Sequence, residues 1–476
     1  MAWTGPDVLA AAEGELVCGA GDYFFSGVSI DSRSISPSHL FVAVKGQKHD
    51  GHDFIDEVLK KGVAGFVIDK SRRSTVAERI RSSGGLCVAV TDTVKALGAM
   101  ARYRRRQAGL IVVAITGTNG KTSTKEMTAR VLEQRYQVLA TAGNFNNEIG
   151  LPLTLLRLEA SHQVGVLELG MNAPGEIARL TRICEPDIGV VLNIGEGHLA
   201  GLGNIEGVAR AKGELIETMG NNGAAVLNAD DPRVLKLAEK AGGRVVTFGQ
   251  GDQGDVRAVR FRQTDRDCAF DLVLSDQDDA VPVQLKVSGR HLVSNALAAA
   301  AVGKLMDIPA QIIASGLERF VPVPGRMNVI PTRAGFFVVD DTYNANPGSM
   351  RAAIAALKGL RGRRRGLLVF GDMYELGDQS AVMHQKIGGW AAESGAAMIF
   401  AVGDFARAVA AGAMEAGMTR DKIVTGTREQ IIKALSKNVR SGDWVLVKGS
   451  RAMAMETVAA AIVGKGGGPE EEKPGR

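Results

Sequence analysis

Between an apolar stretch beginning at Leu110 and an amphipathic run lies Ile115-Thr116-Gly117-Thr118-Asn119-Gly120-Lys121-Thr122, a spacing of glycine, lysine and threonine suited to holding phosphate. Glycine lets backbone N–H groups approach phosphate oxygens, a lysine neutralises charge on the β and γ groups, and a threonine hydroxyl can ligate Mg²⁺. Gly117 and Gly120 supply the first property, Lys121 and Thr122 the other two. Ile115 stands where the strict G-x-x-x-x-G-K-[ST] pattern has its first glycine, so the loop is a shortened form. An ordinary strand-to-helix turn is the competing reading.

Two further groups bear on the same chemistry. Glu168 in VLELG and His198 in NIGEGHLAG each fall at or just past the predicted C-terminal end of a strand of one sheet. Ligands of open α/β sheets collect at that edge. A carboxylate and an imidazole there can hold Mg²⁺ beside a nucleotide, although a hard cation favours oxygen ligands. Capping or a core polar role is the alternative for each.

Such groups need a frame, and the hydrophobic pattern supplies one. Up to residue 108, short β-rich runs such as HLFVAVKG (39–46) and AGFVIDK (64–70) alternate with helical patterns. From residue 109, apolar runs buried on both faces alternate regularly with helices, which predicts a parallel sheet. Residues 255–287 break the rhythm with period-two alternation, the signature of antiparallel strands. A second α/β alternation follows VPVPGRMN (321–328). The predicted fold class is α/β in three domains: a small N-terminal α/β domain (1–108), a central P-loop domain on a parallel sheet (109–328) and a C-terminal Rossmann-like domain (329–464). Residues 465–476, glycine-rich and charged, are expected to be a disordered tail.

Composition narrows the function. A 45% apolar and 23% charged chain is of ordinary globular type. A net charge of +5 over 476 residues is too mild for a nucleic-acid binder. The basic runs Arg102–Arg106 and Arg361–Arg365 read as solvated connections before strands. Cys18, Cys87, Cys184 and Cys268 lie far apart in the chain without CxxC spacing, which suggests reduced thiols rather than a disulfide framework or zinc site. No stretch approaches ~18 uninterrupted apolar residues, and the N-terminus lacks a basic segment followed by an apolar core. A cytoplasmic protein without a membrane span is the expectation.

Several blocks together resemble the Mur ligase family: ITGTNGKTSTKEM, GNFNNEIGLPLTLL, ELGMNAPGEIARLT, NIGEGHLAGLG, GRHLVSNALAAA, PGRMNVI, DDTYNANPGSM, FGDMYELG and VKGSRAMAME, with IDSRSISPSHLFVAVKGQKHDGHDFI nearer the N-terminus. The resemblance spans all three domains. It implies an ATP- and Mg²⁺-dependent ligase, a monomer, whose partners are UDP-N-acetylmuramoyl-tripeptide and D-alanyl-D-alanine. Carried over by position, it sets Gly117, Thr118, Asn119, Gly120, Lys121 and Thr122 around ATP, with Asn295, Arg326 and Asp341 completing the nucleotide site. Thr122, Glu168, His198 and Lys212 become the metal set, and Lys121, Lys212 and His198 the catalytic residues. Lys212 matches a lysine that family members carbamoylate to bridge a metal. Ser32, Arg33, Asp50, Gly51 and His52 would face the UDP moiety, and Asn146 and Asn147 the muramoyl substrate. For the asparagines in particular, turn capping is the simpler role.

One departure stands out: where the family commonly shows His-Asn, this chain reads His291-Leu292, removing one amide from the expected nucleotide contacts. Among rivals, the nearest is the family member that adds the third peptide residue, but the DNPR-type motif associated with its diaminopimelate-adding members is absent. Folylpolyglutamate synthetase is a more distant relative. A regulatory ATP-binding or P-loop transport protein would leave Glu168, His198 and the DDTYNAN block without a task.

Overall fold

The computed structural model describes residues 2–465 apart from residues 20, 47, 222, 265–266, 277–278 and 288; the expected tail from 466 onward lies outside the described residues, and Lys465 ends the last helix. Three larger sheets organise the chain. The N-terminal one has five strands in the order 15–18, 86–90, 65–69, 39–42, 27–29, parallel except for the first pair.

The central sheet has nine strands, in the order 281–285, 268–274, 256–263, 245–249, 224–228, 188–191, 111–116, 164–168, 138–140. Its parallel part changes direction beside Ile111–Thr116: later strands 138–140 and 164–168 lie on one side and 188–191 on the other. That switch point opens a crevice at the carboxyl ends of the strands. The alternating segment adds Val256–Gln263 parallel to its neighbour, then Cys268–Leu274 and Val281–Leu285 antiparallel, as an extension of the same sheet.

The C-terminal sheet runs 328–331, 337–341, 444–448, 366–370, 398–401, 423–425, parallel but for its first strand. Asn328 already belongs to this sheet, pairing with Asp340, so the strand boundary falls before the division read from the sequence. The helix Pro347–Arg361 that packs on it starts with a full capping box between Asn346 and Ser349 and with proline at its first position, where a missing N–H costs nothing.

The hydrophobic interiors show how these units join. One apolar cluster runs without a break from Trp3 and Val8 through Leu97 and Met100 to Leu167, Leu180 and Leu237, crossing from the N-terminal into the central domain. The C-terminal clusters around Trp444 and Phe370 and around Val445 and Met455 draw on residues from 327 onward, with Leu199 as their one partly buried contributor from the central domain.

The basic run Arg102–Arg106 is not a connection. It lies inside the helix Thr93–Ala108, capped by Asp92 at its start and ended by Gly109 at φ 60°. Its guanidinium groups clasp the central domain: Arg102 and Arg106 hold Glu185, and Arg105 reaches Asp187 at 3.0 Å. Arg104 is buried over the Trp3 ring, 4.2 Å from its centroid. All four cysteines are free thiols, yet Cys18 and Cys87, distant in sequence, face each other across antiparallel strands. Among the described residues no helix is long and apolar enough to cross a membrane.

Candidate active site

The strand Ile111–Thr116 is buried almost throughout and delivers the chain to the crevice, where Gly120 turns it at φ 84° into the helix Lys121–Leu132. No side chain caps that helix, so its first N–H groups point outward as an anion site. The loop is braced rather than loose. Thr118 N donates to Asn193 O at 3.0 Å, Asn119 N to Asn193 Oδ1 at 2.9 Å, and Gly195 N to Thr118 Oγ1 at 2.9 Å. A Cβ on Gly120 would press on the Asn295 carboxamide. Gly120→Ala is therefore expected to weaken ATP binding at least about tenfold, both through the left-handed φ and through displacement of Asn295; calorimetry with ATP on the folded variant checks it, and unchanged affinity would refute it.

Lys121 Nζ donates back to Gly117 O at 2.8 Å. Burial pushes its ammonium below the usual lysine range; Glu168 opposes that shift and Arg326 adds to it. Thr122 Oγ1 donates to Glu168 Oε2 at 2.8 Å, and Asn146 Nδ2 to Glu168 Oε1 at 2.8 Å. Both Thr122 and Glu168 are buried. Two of the four residues expected to hold the metal, Thr122 and Glu168, thus stand together as hard oxygen donors at the mouth of the loop, a donor set that fits Mg²⁺. Lys212, on the helix Ile205–Met219, reaches the same cleft; it is 2% exposed and has no hydrogen bond or ion pair among the described residues. Burial, and then repulsion from Lys121, drives its ammonium well below the ordinary value.

His198 lines the cleft too, but its ring turns to the C-terminal domain, with Nδ1 2.6 Å from Glu375 Oε2. Among the described residues no group of three or more His, Cys, Asp or Glu side chains is placed to hold a metal ion.

The C-terminal domain completes the wall. Asn346 Nδ2 donates to Asn119 Oδ1 at 2.8 Å across the domain boundary. Asp341 accepts from Lys448 Nζ at 2.6 Å and from Met327 N at 3.2 Å. The Arg326 guanidinium stacks 4.1 Å above the Tyr343 ring, a ready flat surface beside the nucleotide loop. Together these groups line a cavity of about 490 Å³ that also includes Asn147, Asn295, His291 and Leu292. Leu292 is at the same time part of the central apolar cluster, so the position without its amide is filled by packing.

Some expected residues do other work. The Asn147 carboxamide oxygen caps the helix Gly150–Leu155, accepting from Gly150 N at 2.8 Å. Ser32, Arg33, Asp50, Gly51 and His52 lie in the N-terminal domain, outside this cleft. His52 is buried with both ring nitrogens engaged: Nδ1 with Asp50 Oδ1 at 2.6 Å, and Nε2 as acceptor of Asp69 N–H at 2.9 Å. It is a brace, not a ligand-facing ring. Burial alone would raise the Asp50 acid, but bonds from His52 and Arg72 outweigh it and hold the carboxyl at about 2. Arg33 is exposed and paired with Asp31 at 2.8 Å. Lys448, Asn193, Asn346 and Glu375 were not singled out from the sequence. Their one signal was position: each falls in a quoted block, NIGEGHLAGLG, DDTYNANPGSM, FGDMYELG or VKGSRAMAME.

Comparison with known proteins agrees with this geometry. Residues 115–303 match the model of the Mur ligase middle domain, 325–451 that of the Mur ligase glutamate ligase domain, and 25–105 that of the Mur ligase family catalytic domain. The chain is 37% identical over 443 residues, 93% of its length and 94% of the relative's, to the UDP-N-acetylmuramoyl-tripeptide--D-alanyl-D-alanine ligase of Escherichia coli, and 34% identical over 438 residues, 92% and 93% of the two chains, to that of Bacillus subtilis. Its fold superposes on MurF from Acinetobacter baumannii with a TM-score of 0.88 at 33% identity, covering 98% of this chain and 99% of that one. The MurF ligase from Thermotoga maritima in complex with ADP gives 0.81 at 30% identity, covering 92% and 97%. With family matches to all three domains and such identity along most of its length, the chain belongs to the Mur ligase family.

Proposed function

We infer that the protein is an ATP-dependent ligase that joins D-alanyl-D-alanine to UDP-N-acetylmuramoyl-tripeptide, giving UDP-N-acetylmuramoyl-pentapeptide, ADP and phosphate. The observation that carries this reading is one cleft holding an uncapped helix start, the buried Thr122–Glu168 pair and the unpaired Lys212, closed on its far side by C-terminal residues.

A carboxylate does not acylate an amine directly, since oxide would have to leave. The peptide carboxylate therefore attacks the γ-phosphorus of ATP, ADP departs, and an acyl phosphate remains. The dipeptide amine adds to its carbonyl, and the tetrahedral adduct expels phosphate. The loop N–H groups and Lys121 stabilise negative charge on the transferring phosphoryl group once Lys121 leaves its Gly117 carbonyl. Asn295 holds the loop shape, while Arg326, Tyr343 and Asp341 bound the nucleotide from the C-terminal side. Thr122 and Glu168 would hold Mg²⁺, with Lys212 joining as a carbamate and His198 from the neighbouring loop; bound there, the ion supplies charge neutralisation to the phosphates.

The division of labour follows the domains: residues 1–108 take the UDP end through the segment around Ser32, Arg33 and Gly51, 109–328 take ATP, and 329–464 close the site. Asn146 and Asn147 stand on the muramoyl side. We place the enzyme in the cytoplasm as a monomer.

The assay is ADP release coupled to mass spectrometry of the product, over a panel of UDP-muramoyl peptides and amine acceptors. Turnover is expected only when both UDP-muramoyl-tripeptide and D-alanyl-D-alanine are present. Equal ADP release without the dipeptide, and no pentapeptide, would sink the assignment.

A further inference from the structure

We propose that the junction between the N-terminal and central domains carries a second binding site, for a free single-chain amphiphilic anion. Three helices, Gly5–Ala12, Thr93–Ala108 and Glu176–Cys184, meet there around a cavity of about 490 Å³ that shares no lining residue with the active-site cleft.

The hollow exists because the facing side chains are small. Ala10 and Ala11 on one helix and Gly98 and Ala99 on the next leave room, with Ile183 as the opposite wall. A Cβ on Gly98 would already meet Ile183 Cδ1 at 2.9 Å, so Ile183 packs directly on the bare backbone there. Such an apolar floor favours a hydrocarbon body.

The rim is mostly cationic. Lys95, Arg102 and Arg106 recur at spacings of seven and four and share a helix face, and Arg179 and Arg182 stand across from them, against only Glu13 and Glu148. Within the lining this is five cations against two anions, a surplus of three. Arg102 and Arg106 are held by Glu185, and Arg179 by Glu148. Lys95 is loosely paired with Asp92 at 4.0 Å, and Arg182 is exposed with no hydrogen bond or ion pair among the described residues. Arg182, with the weakly held Lys95 beside it, is thus left to meet an anionic head above an apolar floor, which is the complement of an alkyl phosphate or sulfate. A hollow of about 490 Å³ has room for one hydrocarbon chain.

Calorimetry of the full-length protein with dodecyl phosphate below its micelle concentration tests this. One saturable site is expected, with dodecanol and inorganic phosphate each binding at least about tenfold more weakly, because each lacks one half of the recognition. Ala99→Phe, which fills the hollow, should abolish binding. Arg182→Glu, on a solvated and unpaired side chain, should weaken it about tenfold or more while ligase turnover without amphiphile stays unchanged in both variants. Binding by Arg182→Glu equal to the parent, uptake without saturation, or binding to phosphatidylglycerol vesicles with none of the monomeric amphiphile would overturn the proposal.

Discussion

Lys121→Ala is expected to lower kcat by roughly 10³-fold, about 4 kcal/mol of transition-state stabilisation, while leaving affinity for the UDP substrate nearly unchanged. The first part follows from charge. The ammonium sits in a buried cleft where solvent cannot substitute for it, and burial has already pushed it down, so the folded protein carries the cost of keeping a cation there. A phosphate arriving beside it relieves that cost, and the relief is greatest when charge on the phosphoryl group peaks. The second part follows from distance in the fold: the segment holding Ser32, Arg33 and Gly51 is on a different sheet and lines no part of the cleft. Steady-state kinetics and calorimetry with the UDP substrate check the two parts. Loss of UDP-substrate binding in a folded variant would contradict the separation of sites.

Lys212→Arg should reduce turnover about 10²-fold or more although it preserves formal charge. An ammonium at this position faces Lys121 and has no bonded partner among the described residues, an arrangement that burial makes costly. Its lowered pKa favours the neutral amine over the ammonium, and a neutral amine adds to CO₂, releasing one proton and becoming a carbamate. Counting the proton lost from the ammonium and the one lost on carbamoylation, charge changes from +1 to −1, and the carbamate would offer two hard oxygens to an ion held by Thr122 and Glu168. A guanidinium cannot do this. The measurements are turnover across bicarbonate concentrations and a carbamate carbon signal with ¹³C-labelled bicarbonate, present in the parent protein and absent in the variant. Near-normal turnover by Lys212→Arg would rule the carbamate out.

The sequence made the phosphate loop legible because everything it needs is local: a strand, two glycines, a lysine and a helix start within a dozen residues. Glu168 was legible for a related reason, standing as the last residue of a buried strand on the sheet edge where the loop emerges. Lys448 was not, because its value comes from Asp341, more than a hundred positions away and on the adjacent strand. The same holds for Asn193 and Asn346, which meet at Asn119 from two different domains. Arg102–Arg106 was misread for want of weighing its ends: Asp92 and Gly109 are ordinary start and stop signals for one helix, and a basic run within a helix can be a clasp. His52 shows the opposite error, where the expected ligand contact gave way to a local hydrogen-bonding task.

The apolar core that passes unbroken from the first domain into the second, and halts before the third, divides the molecule mechanically into a receptacle and an arm. The receptacle cannot flex between its halves without tearing packed side chains apart, so a long substrate laid across it meets a fixed ruler. The arm is fastened by polar contacts such as Asn346 to Asn119 and Glu375 to His198, and it leaves the body through Pro322 and Pro324, with Gly325 at φ 74° and Met327 at φ 55°. Swinging such an arm exchanges a few hydrogen bonds with water and exposes little hydrocarbon. Opening and shutting can therefore be cheap at each turnover while the ruler keeps its length.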